Sequence, residues 1–524
     1  MKLIPEVKLP YSAPQDELIG AVAKKAKIKV SDIVRYEIVK MGIDARKKPQ
    51  ILFVYNVAID VKNGAKGKLE RFDDVDVVHK GLEYSKCSKV CKSPVVVGFG
   101  PSGMFCALAL ALAGLKPIVL EQGKPADQRL QDVEHFWKTG ELNEHSNVQF
   151  GEGGAGTFSD GKLNTTLNNE YCKKVINELI LCGAPKDIYY KNKAHIGTDN
   201  LIQVVQNIRK KIEKLGGKVV FNAKFTNFGV QNAQINSVSY INLQEQKECK
   251  IYTNCLVLAI GHSAHGTFKM LKNSSVQMRK KPFAVGVRIE HPQKIINMSQ
   301  YGIEHSPHLP SADYKLVAHL PNGRSVFTFC MCPGGKVIAS ASEKHSIVTN
   351  GMSNYARDGQ NANSALLVNV TPQDFEGDVL AGFELQRKIE QTAFKIAGNN
   401  YCAPAMSVGE FLGENAPKTT IKSTYLPHIS MCNIKECLPN FVVESLQQAL
   451  VVFDQKIHGF ADAQNLLIAP ETRSSCPVQF NRNADYTCTF CGLYACGEGA
   501  GYAGGIVSSA VDGIKCAENI IKKC

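Results

Sequence analysis

One stretch of the chain, residues 94–123, constrains the fold more than any other; it reads PVVVGFGPSGMFCALALALAGLKPIVLEQG. Its β-branched residues at 95–97 predict a short buried strand. Three glycines follow at G-x-G-x-x-G spacing over 98–103, and the chain is then small or apolar nearly throughout 102–114. This composition predicts a helix packed under a sheet, and the apolar residues of 116–120 predict a second strand.

The order of strand, glycine turn, helix, strand and acid is the order that a dinucleotide-binding site needs. Gly98 permits the tight turn, Gly100 lets the backbone approach a pyrophosphate, and Gly103 lets the helix pack closely on the strand. The helix N-terminus adds free N–H groups and the positive end of a dipole. Glu121, 18 residues after Gly103, can accept hydrogen bonds from a ribose diol. A glycine-rich turn in another kind of α/β protein is the less favoured alternative.

The part of the chain before this stretch predicts a separate unit. At 524 residues the chain is long enough for two or three domains. Residues 16–25 have the spacing of an amphipathic helix, and 35–45 and 50–61 have the pattern of a strand hairpin. The sequence therefore predicts a small α+β module over 1–90.

The predicted N-terminal module is basic. Residues 1–92 contain 19 Lys and Arg against 12 Asp and Glu, so they carry 19 − 12 = +7 of the net charge of +13. Such a surface can bind RNA or another polyanion, or it can be an ordinary solvated face, and the second interpretation is favoured. Nucleic acid is therefore the less favoured of the two interpretations of this basic surface.

The sequence favours a reduced, cytoplasmic environment. It contains no run of about 18 uncharged apolar residues, which argues against a membrane span, and its first residues lack the apolar segment of a secretory signal. The 18 cysteines are scattered, which favours free thiols. Cys87 and Cys91 stand at C-x3-C spacing without a second pair, so we expect no metal site there.

Three further segments carry the residues of a large ligand site. The loop 150–165 combines glycines with hydroxyl side chains and Lys162, which suits a loop pressed against a planar or phosphorylated ligand. A buried strand over 255–260 runs into Gly261. A short strand over 493–496 is followed by Gly497-Glu498-Gly499 and by a predicted helix over 504–520.

These segments together resemble the two-dinucleotide-binding-domain flavoprotein superfamily, in which three parts of the chain build one FAD site. The motifs FGEGGAGTFSDGKL, GVRIEHPQ, FCMCPGG, ETRSSCPV and GEGAGYAGGIVSSAVDG are similar to those of the uncharacterised FAD-dependent dehydrogenase family of bacteria and plastids. One departure is His265-Gly266, where the family pattern has Arg-Asp.

The resemblance implies an α/β fold with a discontinuous Rossmann-like FAD-binding domain. Its first part is expected over 93–265 and its C-terminal part over 470–524. An inserted α+β substrate domain is expected over 266–469, with the small α+β module in front.

The resemblance also implies a cofactor site. The pyrophosphate is expected at Gly98–Gly103, the AMP ribose at Glu121 and the ribitol region at Glu498. The helix that begins near Gly504 is expected to point at the flavin N1/O2 edge. The residues expected to bind FAD are Gly98, Gly100, Pro101, Ser102, Gly103, Glu121, Gln122, Arg129, Gly154, Thr157, Ser159, Lys162, Gly261, Gly497, Glu498, Gly505 and Ile506.

The predicted function is that of an FAD-dependent oxidoreductase. Hydride is expected to pass through flavin N5 to or from a small substrate, for which an anion is one candidate. A second G-x-G-x-x-G is absent from the sequence, which leaves NAD(P)H open as a transient reductant. The rivals are a flavoprotein that docks on RNA through its N-terminal module and a scaffold that holds FAD without catalysis. The substrate and the oligomeric state are not predicted.

Three side chains are the predicted catalytic set: Arg288 and Arg473 to clamp an anion, and His262 to exchange protons. Structural ion pairs for the arginines and a hydrogen-bonded histidine in the core or at the surface are the alternatives.

Two cysteine pairs are also expected near or behind the site. The resemblance implies that Cys330 and Cys332 face cofactor or substrate, and because no activating base is identified we expect neither to be a nucleophile. Cys488 and Cys491, at C-x-x-C spacing, are expected to be structural.

Overall fold

The computed structural model describes residues 1–63, 69–77, 79–87, 92–165, 167, 169–415 and 419–524. Cys91, and with it the predicted pairing at C-x3-C spacing, lies outside the described residues. The α/β fold class is confirmed. The positions of the domain boundaries stay predictions.

The N-terminal module is a three-stranded antiparallel sheet covered by one helix, as the helix and hairpin patterns predict. Its elements are β1 (Lys2–Pro10), α1 (Glu17–Ala26), β2 (Ile33–Asp44) and β3 (Leu52–Val61). The strand order is β1-β3-β2, and the apolar face of α1 packs on the sheet around Leu18, Val22 and Val57.

Strand β2 joins the module to the rest of the chain. The Met41 amide donates to the Tyr190 carbonyl at 2.7 Å, and the Asn192 amide donates to the Met41 carbonyl at 3.0 Å. The module is therefore hydrogen-bonded through its edge strand to the segment around residue 191.

The next part of the chain builds a parallel sheet, a separate three-stranded antiparallel sheet and the helices around them. Its elements are β4 (Val95–Val97), α2 (Pro101–Leu112), β5 (Ile118–Leu120), α3 (Ala126–Thr139), α4 (Glu170–Leu181), α5 (Thr198–Lys214), β6 (Lys218–Val220), β7 (Ala223–Gln231), β8 (Gln234–Asn242), β9 (Lys247–Tyr252), β10 (Leu256–Leu258), α6 (His265–Asn273) and β11 (Met278–Lys280).

The following part builds a second large sheet. Its elements are β12 (Phe283–Pro292), α7 (Gln293–Tyr301), β13 (Val317–His319), β14 (Ser325–Cys332), β15 (Lys336–Ala339), β16 (Thr349–Met352), β17 (Asn361–Val370), α8 (Ala381–Ile396), β18 (Ala403–Ser407), α9 (Val408–Leu412), β19 (Ile429–Met431), α10 (Asn440–Lys456) and β20 (Leu466–Glu471). The chain ends with β21 (Val478–Phe480), β22 (Leu493–Ala495) and α11 (Ile506–Ile521).

The parallel sheet brings the three predicted segments side by side. Its order is β22-β10-β4-β5-β6, and all four neighbouring pairs are parallel. Because the carboxyl ends of parallel strands meet at one edge, the turns after β4, β10 and β22 lie next to one another. Segments from both ends of a roughly 400-residue interval therefore meet at a single sheet edge.

The second sheet has the order β13-β14-β17-β12-β20-β18-β19. It is antiparallel except for the parallel pair β18–β19. The chain enters and leaves this sheet through a two-stranded ribbon, in which Met278 pairs with Phe480 and Lys280 with Val478. Within the described part of the chain, no helix combines the length and the apolar character needed to cross a membrane.

Helix α2 packs by backbone contact on both of its sides. A Cβ atom added to Gly103 would lie 2.0 Å from the Gly98 carbonyl oxygen. A Cβ atom added to Gly513 of α11 would lie 2.1 Å from the Ser102 carbonyl oxygen. Both separations are far below contact distance, so only glycine fits at these two positions.

We expect Gly103→Ala to lower the free energy of unfolding by about 3 kcal/mol, because the added methyl group forces α2 away from the turn. Gly266→Ala is the matched control, since Gly266 also lies in a helix and nothing stands within 4 Å of its added Cβ. The control should leave stability unchanged or raise it by up to about 1 kcal/mol through helix propensity. Urea unfolding followed by circular dichroism measures both. Equal stabilities for the two variants would contradict the close packing.

Candidate functional site

A cavity of about 510 Å³ lies between the carboxyl edge of the parallel sheet and the second large sheet. It is lined by the turns after β4, β10 and β22, by the loop that contains Gly154 and Lys162, and by the end of β14. The predicted site residues that line it are Gly98, Gly100, Pro101, Ser102, Glu121, Gly154, Ser159, Lys162, Gly261, His262, Arg473, Glu498, Gly505 and Ile506. Gly103, Gln122, Arg129, Thr157, Gly497 and Arg288 are not among its lining residues.

The walls of the cavity touch one another at glycines. A Cβ added to Gly154 would lie 2.9 Å from the Gly100 Cα, and one added to Gly499 would lie 2.5 Å from the Gly261 carbonyl oxygen. A Cβ on Gly497 would lie 2.6 Å from the Ser102 Cβ. Gly497 therefore closes the wall behind the cavity rather than lining it.

Two helix N-termini face this one cavity. The first turn of α2, with Gly100, Pro101 and Ser102, lines it on one side, and Gly505 and Ile506 at the start of α11 line it as well. The N-cap residue of α2 is a glycine, so no side chain caps its free N–H groups. Both helix ends therefore present positive potential and backbone donors to an anionic ligand.

Glu121 holds the turns together from the end of β5. Its carboxylate accepts hydrogen bonds from the amides of Phe99 at 2.8 Å, Gly123 at 2.9 Å and Gly151 at 2.9 Å. Because two carboxylate oxygens offer about four lone pairs, three backbone donors leave room for a ligand hydroxyl. The predicted ribose contact is compatible with this geometry and stays a prediction.

The structure does not bring Arg129 to the cavity, which corrects its expected contact with FAD. Its side chain is fully buried and donates to the carbonyl groups of Asn147, Val148, Glu152 and Gly154 at 2.7–3.0 Å. Burial lowers the pKa of Arg129 to about 10, so the guanidinium stays charged near neutral pH. Arg129 is a positioning residue that fixes the glycine-rich loop from beneath.

Thr157 is also turned away from the cavity. Its hydroxyl donates to the Glu152 carbonyl at 3.2 Å, inside the same loop that Arg129 supports. Gln122, which follows Glu121, does not reach the cavity either. We therefore expect these two residues to act on a ligand through the backbone around them.

The charge of each predicted catalytic arginine is already neutralised. Fully buried Arg288 forms a two-point ion pair with Glu471, at 3.0 and 2.8 Å. Although burial opposes the charge, Glu471 raises the pKa of Arg288. Arg473 lines the cavity, but it pairs with Glu390 in the same way, at 3.1 and 2.9 Å. Neither arginine offers an uncompensated charge to an anion, so their predicted role as the clamp is not supported by this geometry.

His262 has one ring nitrogen fixed and one left over. Its Nε2 lies 3.1 Å from the Gln386 Oε1, and the Gln386 amide is oriented by donating to the Thr472 carbonyl at 2.7 Å. Nε2 is therefore the donor. The buried Nδ1 has no hydrogen-bond partner among the described residues, and the Glu498 Oε1 lies 3.8 Å from it.

Lys162 stands on the loop side of the cavity. Its ammonium group lies 2.6 Å from the Asp160 Oδ2 and also donates to the Met331 carbonyl. Asp160 in turn accepts a two-point contact from Arg357, at 2.9 and 2.6 Å. Burial opposes ionisation, yet Lys162 and Arg357 together hold the pKa of Asp160 well below its usual range.

Cys330 faces the cavity with an unusual backbone. Its φ of 42° is in the left-handed region, at the bulge where β14 loses register with β17. The thiol is exposed to the cavity, and desolvation raises its pKa to about 12. Cys332 is buried and donates to the Cys330 carbonyl at 3.2 Å. A thiol with so high a pKa is a poor nucleophile near neutral pH.

The Cys488–Cys491 pair and a buried histidine of β12 lie outside the cavity. Cys488 is buried and Cys491 is exposed, and both are free thiols. His291 is buried with its Nε2 3.2 Å from the Tyr314 hydroxyl, and burial lowers its pKa to about 3. No group of three or more His, Cys, Asp or Glu side chains in the described ranges is arranged to hold a metal ion.

Sequence reasoning missed several lining residues: Gln149, Ser263, Tyr314, Lys315 and Glu471. Glu471 stands in the ETRSSCPV motif two positions before Arg473. The position of Glu471 at the end of a strand and two residues before Arg473 is the sequence signal that could have identified it as a lining residue.

Residues 282–474 match the family model described as "FAD-dependent protein, C-terminal domain-like". An "Uncharacterized protein" of Clostridium beijerinckii is 47% identical over 513 residues, which cover 96% of this chain and 95% of that protein. The chain belongs to this family of FAD-dependent proteins. Residues 1–60 match a second model, described as a domain of unknown function.

Two solved structures are similar to this chain at low sequence identity. A glycerol-3-phosphate dehydrogenase from Bacillus halodurans complexed with FAD is 10% identical with a TM-score of 0.36, over 83% of this chain and 65% of that one. The chain thus spans slightly less than two thirds of that enzyme. An L-proline dehydrogenase from P. horikoshii is 12% identical with a TM-score of 0.36, over 83% of this chain and 95% of that one. These likenesses are too weak to carry an argument about activity.

We expect Arg129→Lys to lower the free energy of unfolding by about 3 kcal/mol, because a lysine cannot satisfy the four buried carbonyl groups. The variant should also weaken FAD binding by disordering the loop. Arg279→Lys is the control, since Arg279 is exposed and, among the described residues, its side chain donates to Gln479 alone. Its effect should stay within about 0.5 kcal/mol. Thermal unfolding and FAD titration measure both variants. Wild-type stability of Arg129→Lys would contradict the positioning role.

Proposed function

We propose that this protein is an FAD-dependent oxidoreductase that passes a hydride through flavin N5 to or from a small substrate. The observation that carries the proposal is the meeting of two helix N-termini at one cavity, in a chain of an FAD-dependent family. The three turns at the carboxyl edge of the parallel sheet supply the walls for a long dinucleotide. The far wall, at the end of β14, leaves room for a second reactant.

The residues present fit FAD. The uncapped N-terminus of α2 suits the pyrophosphate, and Glu121 keeps acceptor capacity for the AMP ribose. The unpartnered Nδ1 of His262 and the nearby Glu498 carboxylate are two acceptors 3.8 Å apart. This spacing is too long for a direct hydrogen bond but suits two acceptors that share the hydroxyl groups of a ribityl chain.

This fit changes the role proposed for His262. The sequence allows either proton exchange or a hydrogen-bonded histidine at this position, whereas a ring fixed through Nε2 and a buried Nδ1 beside Glu498 favour contact with the ribityl chain. His262 is then a cofactor-binding residue rather than an acid or base. Its orientation depends on Gln386, whose amide the Thr472 carbonyl holds in place.

Bound FAD would supply two-electron redox chemistry at N5 and would take up negative charge at its N1/O2 edge when reduced. The Gly505 amide already donates to the Ser508 Oγ at 3.1 Å, so the N–H group of Ile506 and the positive end of the α11 dipole are what this chain offers to stabilise that charge. Because they belong to a rigid helix, they need no reorganisation during the reaction. Phe329 and Met331, from β14, line the other wall and would help to exclude water from the reacting atoms.

The remaining predictions stay open within this proposal. The reductant is either NAD(P)H, bound transiently in the inserted domain, or the substrate itself. The contact of β2 with the segment around residue 191 supports a bracing role for the N-terminal module over a role in docking RNA. A cytoplasmic location is proposed from the scattered distribution of the 18 cysteines.

The purified protein is expected to be yellow and to release stoichiometric FAD when it is denatured. Colourless protein that takes up no added FAD would refute the cofactor. Photoreduction of the bound flavin, followed by addition of an artificial electron acceptor, tests the oxidoreductase role. Rapid reoxidation is expected. If the flavin is retained but is neither reduced nor reoxidised, FAD has a structural role and the oxidoreductase role is refuted.

We expect His262→Ala to weaken FAD binding by about tenfold, which corresponds to the loss of one good hydrogen bond. His319→Ala is the control, because His319 is exposed and lies outside the cavity. The affinity is measured by quenching of flavin fluorescence on titration of the FAD-free protein. If the variant kept wild-type FAD affinity but lost electron transfer, His262 would be a proton-exchanging residue and the ribityl contact would be wrong.

A further inference from the structure

The wall of the cavity at the end of β14 forms a distinct end, which we call the β14 end. Its residues are Lys162, Lys315, Phe329, Cys330 and Asn350, all of which line the cavity. They are contiguous, because Lys162 donates to the carbonyl of Met331, next to Cys330. The Thr328 amide donates to the Leu316 carbonyl at 3.0 Å, which holds Lys315 beside Phe329.

The charges around the β14 end do not cancel. Asp160 is shared by Lys162 and Arg357, so this group of three carries one positive charge in excess. Lys315 is exposed and has no ion-pair partner in the described part of the chain. Its neighbour Asp313 pairs with Lys193 at 2.5 Å, and these two charges cancel.

Two further carboxylates that line the cavity do not oppose the excess. Glu471 lines the cavity, but the two-point contact with Arg288 neutralises it. Glu498 lies beside His262, in the part of the cavity proposed for the ribityl chain. The β14 end is therefore a site of positive potential beside the proposed position of the flavin.

Asn350 adds an oriented hydrogen-bond donor. Its Oδ1 accepts from the Gly351 amide at 2.8 Å and from the Arg288 Nη2 at 3.4 Å. With the oxygen engaged in this way, the Nδ2 group is what Asn350 has left for a ligand. Arg288 therefore acts here as a positioning residue that fixes the Asn350 amide.

We propose that the β14 end binds the substrate as a small organic carboxylate. Lys162, Lys315 and Asn350 bind the carboxylate group, and Phe329 and Cys330 contact its apolar part. The inference rests on the proposed FAD-dependent activity and names the substrate class of that same cavity. In this proposal two lysines and an amide bind the anion, in place of Arg288 and Arg473. The charges of those arginines are already neutralised by Glu471 and Glu390.

The test uses the FAD-loaded protein and two probes of nearly equal size, benzoate and the uncharged benzamide. Binding is followed by the change that each probe causes in the flavin absorbance spectrum. We expect benzoate to bind at least about tenfold more tightly than benzamide, and added salt to weaken benzoate alone because it screens charge. Equal affinities for the two probes, or no spectral change with either, would overturn the proposal.

Substitutions then locate the anion. Lys315→Met should weaken benzoate binding by about threefold, as expected for one exposed charge, and Lys162→Met by about tenfold, with benzamide unaffected by either. Lys336→Met is the control, because Lys336 is exposed on β15 and does not line the cavity. Unchanged benzoate affinity in both cavity variants would contradict the assignment. Tighter binding of inorganic phosphate than of benzoate would exclude a carboxylate as the preferred class.

The FAD content of each variant separates this inference from the proposed function. If the wild-type protein does not bind FAD, the proposed function itself is refuted. FAD-loaded wild type that shows no preference for benzoate refutes only the substrate class. Lys315 is the more decisive position, since it is not among the residues expected to bind FAD.

Discussion

The site depends on close backbone packing at glycines, which have no side chain to separate neighbouring elements. Helix α2 lies against its own strand through Gly103 and against α11 through Gly513, and at each contact an added Cβ would stand about 2 Å from a carbonyl oxygen. This packing sets the uncapped N-terminus of α2 at the sheet edge and brings the start of α11 to the same cavity. The two helix N-termini and the three turns therefore line one cavity, because α2 packs against the turn after β4 and against α11 in direct backbone contact.

A second feature is the structural use of buried arginines. Arg129 supports the glycine-rich loop through four carbonyl groups, and Arg288 and Arg473 are each held by one carboxylate. These contacts keep the cavity wall rigid, since breaking a buried ion pair costs about 3–5 kcal/mol. The uncompensated positive charge of the cavity comes from lysines near its rim. The fold thus separates the charges that build the site from those that are free to bind an anion.

The sequence was informative where the determinants are local. The glycine spacing over 98–103, the strands of the parallel sheet and the α+β module at the N-terminus all follow from patterns within about 30 residues, and the α/β fold is confirmed. The roles of the arginines depend on partners that are distant in the sequence. Arg288 and its partner Glu471 are 183 residues apart, so no spacing rule could show that the charge was already matched. The unpartnered Nδ1 of His262 likewise depends on Gln386, which is 124 residues away.

The claim at the centre of this interpretation is that three distant segments bind a single FAD molecule in one cavity. A crystal structure of the protein with FAD tests it most directly. We expect the pyrophosphate at the N-terminus of α2, the ribityl chain between His262 and Glu498, and the isoalloxazine ring beside the start of α11. Electron density for FAD in another part of the molecule, or a ribityl chain that leaves His262 Nδ1 without a contact, would contradict the claim.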